Sequence, residues 1–167
     1  MNMNLRRLLQ HGLTTRRQVR QAFSRRTLLT IENAIQTSER AHGGEVRFAV
    51  EAALDGWPLL KGQSARERAI EVFSQLRVWD TEHNNGVLIY LLLADHAVEI
   101  VADRGIDAKV GAPAWYTICQ QMEAAFRQAD YEGGMLRGVQ AVTQHLVAHF
   151  PAEGDNRNEL PDPPVLL

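Results

Sequence analysis

A chain of 167 residues with 45% hydrophobic content is long enough to bury one proper core and too short for two large ones, and its lone Cys119 excludes a disulfide framework or a thiolate-held zinc or iron–sulfur centre. The net charge of −2 hides an asymmetry, because residues 1–31 carry seven Arg and no acid while the remainder carries eleven basic against twenty acidic residues. An acidic body argues against a nucleic-acid groove and suits a cation, whereas the Arg-rich start suits an anionic membrane surface, RNA or an acidic partner.

No apolar run is long enough to span a bilayer, and Leu8, Leu9 and Leu13 stand among polar residues rather than in a signal-peptide core. A soluble, cytoplasmic protein is expected, although the acid-free start also shares the composition of an organellar transit peptide. The chain divides into an Arg-rich helical segment (1–23), a folded α/β domain (24–151) and an acidic, proline-containing tail (152–167) without apolar period, expected to be disordered.

Thr14 or Thr15 can cap a short helix over 16–23, and Ser24 caps a longer one with Leu28, Ile31, Ile35 and Ser38 at helical spacing, ending near Gly43 and Gly44. Residues 45–54 read as a strand, with Val46, Phe48, Val50, Ala52 and Leu54 on its more buried face. A loop over 55–63 leads to the Ser64/Glu67 capping box and an amphipathic helix carrying Ala69, Ile70, Phe73 and Leu76. Residues 86–94 form an uninterrupted apolar strand, the pattern of a strand covered on both faces, and Ala94–His96 turn it into a second strand over 97–103. The crossover helix makes the first two strands parallel. Pro113 opens a helix bearing Trp115, Ile118, Cys119, Met122 and Phe126, and a final helix with Val139, Val142, Thr143, Leu146, Val147 and Phe150 along one stripe stops at Pro151. The fold class is α/β, a small mixed sheet of one βαβ unit plus a β-hairpin with helices on both faces.

This topology gathers three segments at one end of the sheet: residues 42–45, the loop 80–85 and the turn 103–107. Glu45, Asp80, Glu82, Asp103 and Asp107 supply carboxylates there, and Asn84 and Asn85 add amide oxygens. An all-oxygen set suits Ca²⁺ or Mg²⁺ better than zinc, with solvated loop acids and an Asn-Asn-Gly turn as the plainer alternative. Arg104 stands where it can hold a phosphate oxygen if a metal is bound. The opposite end, with Asp55, Asp95 and His96 near Ser64, is a second candidate, because open α/β sheets bind ligands beyond the carboxyl ends of their strands. His145 and His149 lack a third ligand and the Glu of an HExxH motif, and Cys119 lies among core positions.

The segments IENAIQTSERAHGGEVRFAVE, NNGVLIYLLLADHAVEIVADRG and LRGVQAVTQHLVAHFP resemble the TPM domain family over about Thr27 to Pro151. That family includes thylakoid-lumen proteins linked to photosystem II repair and bacterial envelope proteins. The resemblance implies an α/β sandwich of Rossmann-like appearance, divalent-cation binding in some members, and the acid-phosphatase activity ascribed to plant members. Where the family usually places an acid beyond the glycine turn, this chain has Val110, Gly111 and Ala112. Two expectations follow: a soluble accessory or interaction module with a Ca²⁺ or Mg²⁺ site and an unidentified protein partner, or a metal-dependent acid phosphatase acting on phosphomonoesters.

Overall fold

The computed structural model describes residues 5–154 and 157–167. The described elements are α1 Leu5–Leu13, α2 Arg16–Ala22, α3 Arg25–Glu39, β1 Glu45–Glu51, α4 Gly56–Leu60, α5 Ala65–Gln75, β2 Gly86–Leu92, β3 Ala97–Ala102, α6 Arg104–Val110, α7 Ala112–Arg127, α8 Tyr131–His149 and β4 Val165–Leu166. They form a mixed sheet of order β3-β2-β1-β4 with helices on both faces, the expected α/β class.

The pairing follows from the sequence pattern. All seven residues of β2 are buried, which the unbroken apolar run requires of a central strand. It pairs parallel with β1, Glu45 opposite Gly86, and antiparallel with β3, Val87 opposite Ala102. Alternation then splits the core in two. Val46, Phe48 and Val50 of β1 join Val87, Ile89 and Leu91 of β2 against α2, α3, α7 and α8, with Phe23, Trp115, Ile118, Met122 and Phe126 among the partners. Ala49, Leu88, Tyr90, Leu92 and Val101 face the other way, onto Ala65, Ala69 and Val72 of α5. On that side Tyr90 donates its hydroxyl to Glu51 at 2.7 Å, and Glu51 is held by the Arg68 guanidinium at 2.9 Å.

Several elements differ from the sequence reading for local reasons. The β1 ladder stops at Glu51, and Leu54 packs with the α5 side of the core rather than with Val46, Phe48 and Val50. Residues 56–60, expected as loop, form the single turn α4. The α5 stripe is rotated, because Val72 is buried and Ile70 is exposed. The turn after β3 is the start of a helix: Asp103 is its N-cap, accepting the Arg104 N–H at 2.7 Å, and the Asn84 carbonyl accepts the N–H groups of Gly105 and Ile106. Trp57 and Trp79 lie at the surface beneath Lys61 and Arg77, so only Trp115 is a core anchor.

The largest departure is the tail. Residues 155 and 156 lie outside the described residues, but the segment 157–167 is not disordered. Val165 and Leu166 pair parallel with Ala49 and Val50, and Leu160 is buried against the α5 side of the core. Proline removes backbone donors without preventing a two-residue edge strand, and β4 gives β1 the second neighbour it otherwise lacks.

The register at Gly86 leaves no room for a side chain, since a methyl group there would lie 2.0 Å from the Val78 carbonyl oxygen. Gly86→Ala is expected to cost about 3 kcal/mol of unfolding free energy in urea titration, the upper range for overpacking. A variant as stable as the parent would show that this approach does not set the register.

Candidate functional site at the strand-start end of the sheet

The parallel β1–β2 pair and the β2–β3 hairpin bring together the segments 42–45, 80–85 and the start of α6, as the topology demands. Their five carboxylates are nevertheless committed to different partners. Glu45 is buried, and its two oxygens accept the N–H groups of Glu159 and Leu160 at 3.0 and 3.2 Å. Asp80 is exposed and paired with Arg77 at 2.6 Å. Glu82 lies on the open loop, its own N–H donating to Glu159 Oε2 at 3.0 Å. Asp103 caps α6, and Asp107 accepts the Trp115 indole N–H at 3.0 Å. Arg104 donates to Asn84 Oδ1 at 3.3 Å. Among the described residues no three His, Cys, Asp or Glu side chains are grouped so as to hold a metal ion.

What does open at this end is a cleft of about 540 Å³ between the 82–85 loop, the end of α8 and the tail. Glu82, His83 and Asn85 line one wall, His149, Phe150 and Pro151 another, and Glu153, Arg157 and Glu159 a third. Asn85 is fully buried; its Nδ2 donates to the Gly43 carbonyl at 2.9 Å, while its Oδ1 is buried and has no hydrogen-bond partner among the described residues. Such an orphaned acceptor costs about 1–3 kcal/mol if nothing satisfies it. Glu153 and Glu159 were missed by the sequence reading, which assigned the tail no structure; the apolar Leu160 and Val165–Leu167 were the available signal.

Behind the cleft lies a buried charged cluster. Burial pushes the Glu39 carboxyl up to about 9 and the Glu45 carboxyl up to about 7, each opposed by backbone N–H donors and reinforced by neighbouring acids. Burial also lowers Arg47, against the pull of Asp162, Glu39 and Glu45. Glu39 Oε1 accepts the Val46 N–H at 2.9 Å, so the end of α3 is pinned to β1 through this group.

The opposite end of the sheet is closed by α1. The Leu54 N–H donates to His11 Nδ1 at 2.9 Å, which leaves Nε2–H to donate to Asp95 Oδ1 at 2.9 Å. Arg7 donates to the same carboxylate at 2.8 Å and to the Gln63 carbonyl at 2.7 Å. Burial would raise Asp95, but the bonds from Arg7 and His11 outweigh it and hold the carboxyl below its usual value. The remaining candidates are quiet: burial raises the Cys119 thiol to about 12, and His145 stacks edge-on against Trp115 at 5.4 Å between ring centres.

An α/β sandwich with a cleft beside the starts of two parallel strands defines the structural class. The TPM domain model matches residues 18–145, and the chain belongs to the TPM domain family. The structure is similar to that of the BA42 protein from the psychrophilic bacterium Bizionia argentinensis, with 27% identity, a TM-score of 0.75, and coverage of 86% of this chain and 94% of that one. The N-terminal domain of a P. gingivalis protein shares the fold at 20% identity and a TM-score of 0.57, over 73% of this chain and 76% of that one. No curated protein matches the sequence. Among the described residues no helix is long and apolar enough to cross a membrane.

The buried cluster makes stability depend on pH. Glu39 and Glu45 hold their protons more tightly when folded, so their contribution is complete below the usual carboxylate value of 4.5 and is lost as pH rises through about 7 and about 9. His42 acts oppositely, since burial lowers it to about 4, and it weakens the fold as pH falls below its usual 6.5. Between pH 7 and 9 only the carboxyls act among these three. Urea unfolding should therefore give a falling free energy across that window, and Glu39→Gln should flatten it. A parent chain whose stability holds or rises from pH 7 to 9 would contradict the assignment.

Proposed function

We propose that the chain is a TPM-domain binding module, acting as an accessory or interaction protein, whose cleft at the strand-start end takes a divalent cation of the Ca²⁺ or Mg²⁺ kind. The observation that carries this reading is the buried, unpartnered Asn85 Oδ1 in a cleft also lined by Glu82, Glu153 and Glu159. These four side chains offer hard oxygen donors, the chemistry that calcium and magnesium prefer, beside the imidazoles of His83 and His149 in the same cleft. Glu82, Glu153 and Glu159 are not drawn together as a ready-made metal-holding set among the described residues, so an ion would be met by Glu82 and Asn85 with water completing its shell, and it would supply positive charge to a cleft that has Arg157 among its lining residues. Open walls rather than a closed cage fit a partly hydrated ion held with a dissociation constant of about 10⁻⁴–10⁻³ M. Of the five carboxylates read from the sequence, Glu82 fits this cleft; Glu45, Asp80, Asp103 and Asp107 already have partners within the chain.

Calcium or magnesium at millimolar concentration should raise the melting temperature in a thermal-shift titration, because a ligand that binds only the folded state stabilises it. Glu82→Gln with Glu159→Gln should remove most of that shift. An unchanged melting temperature in either cation would defeat the cation reading. The phosphatase alternative needs a water-activating group beside an open metal position, and the observation that favours it is Asp103 Oδ2, buried without a hydrogen-bond partner among the described residues. It predicts metal-dependent turnover of a generic phosphomonoester that Asp103→Asn abolishes; turnover that is absent, or untouched by Asp103→Asn and Asp80→Asn, would remove it.

A further inference from the structure

Helix α1 lies outside the matched family segment, which begins at residue 18, and it has two faces with different tasks. Arg7 and His11 fasten one face to Asp95 and Leu54. The other carries Leu5, Leu9 and Leu13, spaced four apart and 67%, 58% and 73% exposed. At 100° per residue these three leucines span about 80° of the helix circumference, and Arg6 borders them. A stripe of three leucines left in water on a helix that has already found its place on the body is unlike the scattered apolar residues of an ordinary surface.

The chain that carries this stripe is basic throughout its first three helices up to Glu32, with Asp55 and Glu51 as the acids that share the crevice beside α1. Arg6, Arg16, Arg17, Arg20, Arg25 and Arg26 are all exposed, none of them is in an ion pair among the described residues, and the first acid in the sequence is Glu32. Helix α4, which lines one crevice together with α1, adds the exposed Trp57 and Leu60, with Lys61 over the Trp57 ring. An apolar stripe flanked by unpaired arginines, with an indole on the neighbouring element, matches the interface of an anionic bilayer. Leucines enter the headgroup boundary, guanidinium groups meet lipid phosphates, and an indole rests at headgroup level.

We infer that α1 is an interfacial anchor, through which the folded chain docks peripherally on an anionic lipid surface by the Leu5/Leu9/Leu13 stripe and its arginine border. The inference is independent of the cation cleft, which lies at the other end of the sheet. Docking leaves α1 in place, because Arg7 and His11 stay bound to Asp95 on the face turned away from the lipid.

The test uses the full chain and sedimentation with vesicles of equal parts phosphatidylcholine and phosphatidylglycerol, beside vesicles of phosphatidylcholine alone. Binding is expected to the anionic vesicles, weaker by at least about tenfold on the neutral ones and likewise on raising salt from about 0.1 to 0.5 M. Leu9→Glu and, separately, Arg16→Glu with Arg17→Glu should each reduce it at least about tenfold. All three side chains are exposed, so circular dichroism should be unchanged. Equal binding to both vesicle types, or anionic binding that survives Leu9→Glu, overturns the inference. So does the absence of binding to the anionic vesicles; a dimer in sedimentation equilibrium that Leu9→Glu dissolves would then assign the stripe to a second copy of the chain.

Discussion

Everything in this molecule is positioned by the parallel pairing of Glu45–Glu51 with Gly86–Leu92. Because Glu45 stands opposite Gly86, the segment leaving α3 and the loop leaving α5 must end side by side, and the hairpin then brings the start of α6 to the same edge. Two glycines make that convergence possible. Gly86 lets β2 start against the Val78 carbonyl, and Gly105 lets α6 begin against the carbonyls of His83 and Asn84, where any side chain would collide with backbone. The Asn84 carbonyl consequently caps α6, and the helix terminus is satisfied within the chain.

The tail then determines which groups at this edge stay available. It takes both oxygens of Glu45 through the Glu159 and Leu160 N–H groups, covers Arg47, and extends the sheet beside β1. A carboxylate that a sequence reading assigns to a ligand therefore acts as the tie for a strap. In exchange the strap contributes Glu153 and Glu159 to the cleft wall opposite Glu82 and Asn85. The cluster that Glu39, Glu45 and Arg47 form with Asp162 of the strap is an expensive arrangement of buried charge, tolerated because backbone donors and one guanidinium meet Glu39 and Glu45 carboxyls whose hold on the proton burial strengthens.

Strong periodicity made much of the fold legible in the sequence. The unbroken run of β2, the 115/118/119/122/126 stripe of α7, the Ser64/Glu67 capping box and the Ser24 cap all reappear as expected. Elements whose stability comes from distant partners were not legible. The tail has no period of its own and is held by Glu45 and β1, more than 110 residues earlier in the chain. Helix α1 is fastened by Asp95, 84 to 88 residues later. Asp103 carried a readable N-cap signal, yet a glycine two residues on made the same segment look like a turn. At the candidate site, the sequence brought residues 42–45, 80–85 and the start of α6 to one end of the sheet, as the structure does, but the pairing of Asp80 with Arg77 and of Asp107 with Trp115 needed three dimensions to appear.

Two surfaces lie at opposite ends of one sheet: a polar cleft where the parallel strands begin, and a basic, leucine-striped helix where they end. The proposed meeting place for a cation is the strand-start cleft rather than the crevice beside α4. Amide chemical shifts followed during a calcium titration test this directly. Perturbations concentrated at Gly43, Glu82, His83, Asn85 and Glu159 are expected; perturbations centred on Leu54, Asp55 and Asp95, or none at millimolar calcium, would contradict a cation site in the cleft.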